Sequence, residues 1–208
     1  MNYYGKFSIF SFSLLLSGVI YSGAFAEDSE PVDTNYSGAF INGGINFGQV
    51  YSAGDSYPGI GVLFTFEPGY TSAQNPWNRL ETSLEFGMGQ ITYKRKGNDA
   101  MVELPINLSA LAKFGYGYSI GNHSFGVLRA GAGPIFAGYK EKLEGVPAKT
   151  KTLTGFGALL GIDAVVPMSD ELDFIGGFYI KYMTFSGSNI DSFQLNVPMF
   201  NTGIRYQF

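Results

Sequence analysis

From Tyr36 to Phe208, apolar and polar side chains alternate with a period of two. Successive side chains on a strand point to opposite faces, so this spacing predicts strands. Eight segments are expected, separated by turn signals rich in Gly, Asn, Asp, Ser and Pro. The first, Tyr36 to Tyr51, sets Ala39, Ile41, Ile45 and Phe47 against Asn42, Gly44, Asn46 and Gly48. The second, Tyr57 to Tyr70, sets Ile60, Val62, Phe64, Phe66 and Tyr70 against Gly61, Thr65, Glu67 and Gly69. In the third, Arg79 to Lys94, Leu80, Leu84, Phe86 and Met88 oppose Glu81, Ser83, Glu85 and Gly87. The fourth is read as one unbroken apolar row from Val102 and Leu104 through Ile106 and Leu108 to Tyr118, with Glu103, Asn107 and Lys113 opposite. The fifth runs Ser124 to Tyr139, the sixth Thr152 to Val166 and the seventh Leu172 to Phe185.

The eighth ends the chain. Phe200, Thr202, Ile204, Tyr206 and Phe208 share one parity, and Asn201, Gly203, Arg205 and Gln207 share the other. The alternation slips near Ile91 to Tyr93 and around Val197 to Met199, where bulges or strand ends are expected.

Eight such strands predict an all-β fold, a single eight-stranded antiparallel transmembrane β-barrel over residues 36–208. A lipocalin-type barrel is the soluble alternative, apolar inside and polar outside. Here the continuous apolar rows carry aromatics near the strand ends and the charges keep to the minority face, which is the inside-out pattern of a membrane barrel. Trp77, beside a predicted turn, suits an interfacial belt. Beyond the N-terminal region no segment approaches the ~20 apolar residues of a membrane helix, so strands must do the crossing.

Composition sharpens this in three places. Mean hydropathy is +0.07, an average that hides an apolar outside and a polar inside. The net charge is −4, without the basic stripe that nucleic acid requires. There is no cysteine, which excludes disulfides, thiolate metal sites and a lipoprotein anchor. Residues 1–26 read as a signal peptide: Lys6, an apolar run centred on Leu14, Leu15 and Leu16, and an Ala24-Phe25-Ala26 cleavage site. Residues 27–35 form a polar, acidic tail.

Signal peptide, eight alternating strands and a terminal Tyr-Gln-Phe together resemble the small bacterial outer-membrane barrels of the OmpA, OmpX and opacity-protein type, over the whole mature chain. The resemblance implies a place in the Gram-negative outer membrane. It also implies that Ile204, Tyr206 and Phe208 carry the signal by which the barrel-assembly machinery recognises the last strand. The chain departs from OmpA in lacking a peptidoglycan-binding domain, and from the opacity adhesins in its short loops.

Candidate chemistry lies on the inward face and at the rim. Glu67, Glu81, Glu85, Glu103, Asp163 and Asp173 face inward with Lys113, Arg129 and Lys181. Buried charges must pair or be hydrated, and an eight-stranded barrel is just wide enough for its side chains to fill it, so a polar plug is expected rather than a gated path. His123 and Ser124 have the residue types of a lipid A deacylase pair. They are adjacent, however, and adjacent strand side chains point to opposite faces, so no catalytic residue is assigned. No cofactor and no metal site is expected.

The turns after the third and fifth strands are expected to face outward. They hold Lys94, Arg95 and Lys96, and Lys140, Lys142, Lys149 and Lys151, with only Asp99, Glu141 and Glu144 among them. The opposite end is acidic, through Asp170 and Glu171 as well as the tail. Lysine and arginine bind phosphate as charged donors, which points the rim at lipopolysaccharide. The expected function is a monomeric, non-enzymatic structural or surface-interaction barrel; the competing reading is a narrow channel for small solutes.

Overall fold

A computed structural model of the protein describes residues 37–52, 56–75, 77–96, 100–121, 124–142, 150–188 and 190–208. The predicted signal peptide with Ala24 and Ala26, the acidic tail, His123 and Lys149 lie outside them.

Alternation becomes eight strands: β1 (Gly38–Ser52), β2 (Ser56–Asn75), β3 (Asn78–Arg95), β4 (Met101–Gly121), β5 (Ser124–Lys142), β6 (Thr150–Pro167), β7 (Leu172–Gly187) and β8 (Ile190–Gln207). Each pairs antiparallel with the next, and β8 returns to β1 to close a barrel. Closure leaves no strand edge unpaired, the condition a sheet must meet in lipid. At the seam Phe40 stands opposite Gln207 and Phe47 opposite Phe200, and the Phe208 amide donates to the Ala39 carbonyl at 3.0 Å. Both described ends of the chain thus lie at one end of the barrel, here the terminal end; the turns after β1, β3, β5 and β7 lie at the distal end.

The strands are long, from 15 residues in β1 to 21 in β4. At ~3.3 Å per residue and a tilt near 40°, even a 15-residue strand projects about 38 Å along the barrel axis, more than the ~25 Å apolar band of such barrels.

The outer wall is apolar. Phe64, Phe66, Leu84, Phe86, Met88, Phe114, Leu128, Phe136, Phe156, Leu160, Ile162 and Ile180 are all exposed on it. Leu160 alone is 57 % exposed and Phe64 56 %. Water-soluble monomers do not present contiguous apolar surface on this scale. Ten charged side chains among the described residues are instead enclosed by the wall. The chain is a membrane-spanning β-barrel.

Two expectations need correction, both in β4. Val102 and Leu104 are fully buried in the lumen, not on the outer wall. Glu103 correspondingly turns out of the lumen. The register against β5 shifts by one residue between Glu103–Lys140 and Asn107–Ala137, and against β3 between Gly89 and Ile91. Pro105 sits in this bulge. An extra residue on one strand reverses the facing of everything beyond it, and proline cannot donate to the ladder it interrupts. The apparent slips at Ile91–Tyr93 and Val197–Met199 are different. Ile91, Tyr93, Val197 and Met199 all point inward in step with their strands. The pattern looked broken because the inside itself becomes apolar there.

Candidate functional site: the lumen and its distal rim

Two tiers fill the lumen. The terminal half is charged. Glu67, Glu81, Glu85, Asp163 and Asp173 are buried with Arg79, Lys113, Arg129, Lys181 and Arg205, five carboxylates against five cations among the described residues. Arg129, projecting from β5, meets three carboxylates: Nη1 lies 3.0 Å from Glu67, Nη2 2.6 Å from Glu81 and Nε 2.6 Å from Asp163. Arg205 grips Glu81 with both terminal nitrogens, at 2.8 and 2.9 Å, and donates through Nε to Asn42 at 3.0 Å. Arg79 completes the set around Glu81 at 3.0 Å. Lys113 bridges Glu67 and Glu85 at 2.9 and 3.0 Å. Lys181 reaches Glu85 at 3.2 Å and Ser109 at 3.4 Å.

Neutral groups finish the network. Ser83 donates to Glu67 and Tyr179 to Asp163, each at 2.5 Å. The Tyr179 ring lies over Gly161, where a Cβ would collide with it, so this glycine is what lets the phenol reach Asp163. Below, Arg79 and Arg205 stack on Phe125 and Phe40, 4.1 and 4.2 Å from the ring centroids. Asp173 accepts from Gln207 at 2.5 Å.

The distal half of the lumen is apolar. Val50, Leu63, Ile91, Val102, Leu104, Ile135, Leu153, Met183, Phe185, Leu195, Val197 and Met199 form one packed cluster, with the Tyr93 and Tyr139 rings in it. Phe193 covers it from the distal end, its ring 5.4 Å from that of Phe185 and 6.0 Å from that of Tyr139. Small cavities remain in the lumen among the described residues. One lies beside Glu67, Lys113, Asp163 and Tyr179, another beside Asn46, Glu85 and Lys181; each measures ≈ 10 Å³, room for about one water.

Of the nine residues expected inside, Glu67, Glu81, Glu85, Lys113, Arg129, Asp163, Asp173 and Lys181 are brought together in the charged tier. Glu103 is not: it pairs with Lys142 at 2.7 Å at the distal rim. Sequence reasoning missed Arg79 and Arg205, although both carry the parity of the polar face, Arg79 with Glu81 and Arg205 with Asn201.

Lys94, Arg95, Lys96, Lys140, Lys142 and Lys151 stand at the distal end. Arg95 pairs with Glu141 at 3.1 Å, and Lys94 and Lys96 lie 5.9 and 5.6 Å from the Tyr57 ring centroid. At the terminal end Ile204, Tyr206 and Phe208 are exposed on the outer wall, and the Tyr206 and Phe208 rings meet edge to face at 5.0 Å. Among the described residues no group of three or more His, Asp or Glu could hold a metal ion.

No family model matches the chain, and no curated protein matches it. Solved structures do. Neisserial surface protein A is similar at 18% identity over 83% of this chain and 98% of its own, with a TM-score of 0.46. Ail, the attachment invasion locus protein of Yersinia pestis, crystallised with the heparin analogue sucrose octasulfate, is similar at 13% identity over 82% of this chain and 99% of its own, with a TM-score of 0.49. A major outer membrane protein of Thermus thermophilus is similar at 14% identity over 82% and 99%, with a TM-score of 0.47. The barrel itself is read from the strand pairing of this chain.

Proposed function

We propose that the protein is a sealed, non-enzymatic barrel of the Gram-negative outer membrane, with a structural or surface-interaction role and its distal end outward. The observation that carries this reading is the filled lumen. A solute would have to disrupt the buried network of ion pairs around Glu67, Glu81, Glu85 and Asp163 and then displace an apolar plug. Leaving even one such charge without its buried partner costs about 3–5 kcal/mol. The narrow-channel reading requires a continuous opening, and cavities of ≈ 10 Å³ beside the charged tier do not form one.

Planar-bilayer recording tests it. Purified protein is expected to give no steps above the lipid baseline in molar potassium chloride; reproducible channels whose conductance scales with salt would overturn the sealed reading in favour of a pore. Location is tested separately. Residues 1–26 act in this proposal as a cleaved export signal, so N-terminal sequencing of envelope-bound protein is expected to begin at Glu27.

A further inference from the structure

From β3 to β6 the outer wall does not end in the same way at its two rims, although on β1 and β2 the exposed rings of Tyr51 and Tyr57 stand at the distal end as well. Toward the terminal end the apolar belt closes in amphipathic rings: Tyr70, Tyr116, Tyr118 and Tyr206, with Trp77 63 % exposed in the turn after β2. Such rings sit at the headgroup level of a membrane–water interface. Toward the distal end the wall from β3 to β6 changes to amides, hydroxyls and lysines. On β3 Met88 is followed by Gln90, Thr92 and Lys94, and on β5 Phe136 by Lys140 and Lys142. On β6 Phe156 gives way to Thr154 and Thr152. Three wall positions beyond the belt correspond to about 15 Å along the barrel axis. That is a collar on the outside of the barrel, raised above the hydrocarbon.

Charge follows the same division. Among the described residues, Lys94, Arg95, Lys96, Lys140, Lys142 and Lys151 at the distal end outnumber Glu103, Glu141 and Asp191 there, with Arg95 paired to Glu141 and Lys142 to Glu103. The exposed charges of the terminal end are Asp170 and Glu171, with no exposed cation among the described residues. The register packs the collar into one patch. Lys94 stands opposite Met101 and Thr92 opposite Glu103, which in turn stands opposite Lys140, and Lys140 opposite Thr150.

We infer that this β3–β6 collar is a docking surface for the headgroup of a phosphorylated glycolipid in the leaflet around the barrel. Amides and threonine hydroxyls match sugar hydroxyls, and lysines match phosphate. A raised wall of this chemistry fits a thick saccharide headgroup. The inference rests on the proposed outer-membrane location, which makes lipopolysaccharide the occupant.

The test compares full-length protein in phosphatidylcholine vesicles with and without lipopolysaccharide, following thermal unfolding. Lipopolysaccharide is expected to raise the Tm. The Lys94→Gln/Lys140→Gln/Lys142→Gln variant is expected to lose at least half of that shift while keeping its Tm in phosphatidylcholine alone, which guards against a folding defect. The Asp170→Asn/Glu171→Gln variant is expected to keep the whole shift. High salt should shrink the shift, since exposed charges are screened. Inorganic phosphate, and the phosphorylated oligosaccharide freed of its acyl chains, are expected to reproduce only a small part of it. A full shift in the lysine variant, a loss in the terminal-end variant, no shift in any protein, or a full shift with inorganic phosphate alone would each overturn the inference. Conductance and envelope location are read independently, so failure of the collar is separable from failure of the sealed-barrel reading.

Discussion

A single guanidinium, that of Arg129, meets Glu67, Glu81 and Asp163 inside the barrel. An ion pair of this kind gains little over well-packed apolar groups, but removing one partner strands charge inside a nearly filled lumen. Arg129→Met is therefore expected to destabilise the barrel by about 3–5 kcal/mol. Arg129→Lys should fall between, because an ammonium keeps the charge but cannot address three carboxylates from one plane. Urea unfolding in lipid vesicles, followed through the fluorescence of the single tryptophan, Trp77, measures both. At this scale most of the charged tier was legible in the sequence. Glu67, Glu81, Glu85 and Asp163 sit on the minority parity of apolar-rich strands, and a charge on that face has only the lumen to enter. Arg79 and Arg205 obeyed the same rule and were readable by it. Which cation serves which carboxylate was not, since Arg205 and Glu81 are 124 residues apart.

Elements show where alternation misleads. β4 looks like the most regular strand in the sequence, yet its apolar row changes sides at the bulge that holds Pro105. Continuous spacing of apolar residues concealed this, because Val102 and Leu104 face an apolar lumen while Leu108 faces lipid, and either environment accepts them. Deleting Pro105 removes the extra residue. Val102 and Leu104 are then expected to turn to the wall and Glu103 into the apolar tier, where a carboxylate has no partner. Pro105→Ala keeps the residue count and is expected to be far milder. The heat-modifiable mobility of the folded barrel on gels separates the two: the deletion should leave little folded band and the substitution most of it. Equal folded fractions would show that the bulge does not set the facing.

For the whole molecule, the wall must match lipid. Leu160, central on β6 and 57 % exposed, is expected to face hydrocarbon. Leu160→Arg should cost about 2–4 kcal/mol in vesicles, the range for a charge on the lipid face near the bilayer midplane. Thr152→Arg, at the collar, should cost close to nothing by the same measurement. Equal costs at the two positions would mean that the belt ends elsewhere on the wall.

The sequence by itself determined the eight strands, the barrel class and the sense of the wall, because period-two alternation is a local property that any strand must express. It also determined which residues are enclosed wherever the lumen is polar. Only the tertiary structure decided that the lumen has two tiers, that Glu103 leaves it, and that Lys94, Thr92 and Lys140 share one collar. Those facts depend on register between strands, and register is set by bulges and partners far along the chain. An apolar residue facing an apolar lumen is indistinguishable, in sequence, from one facing lipid.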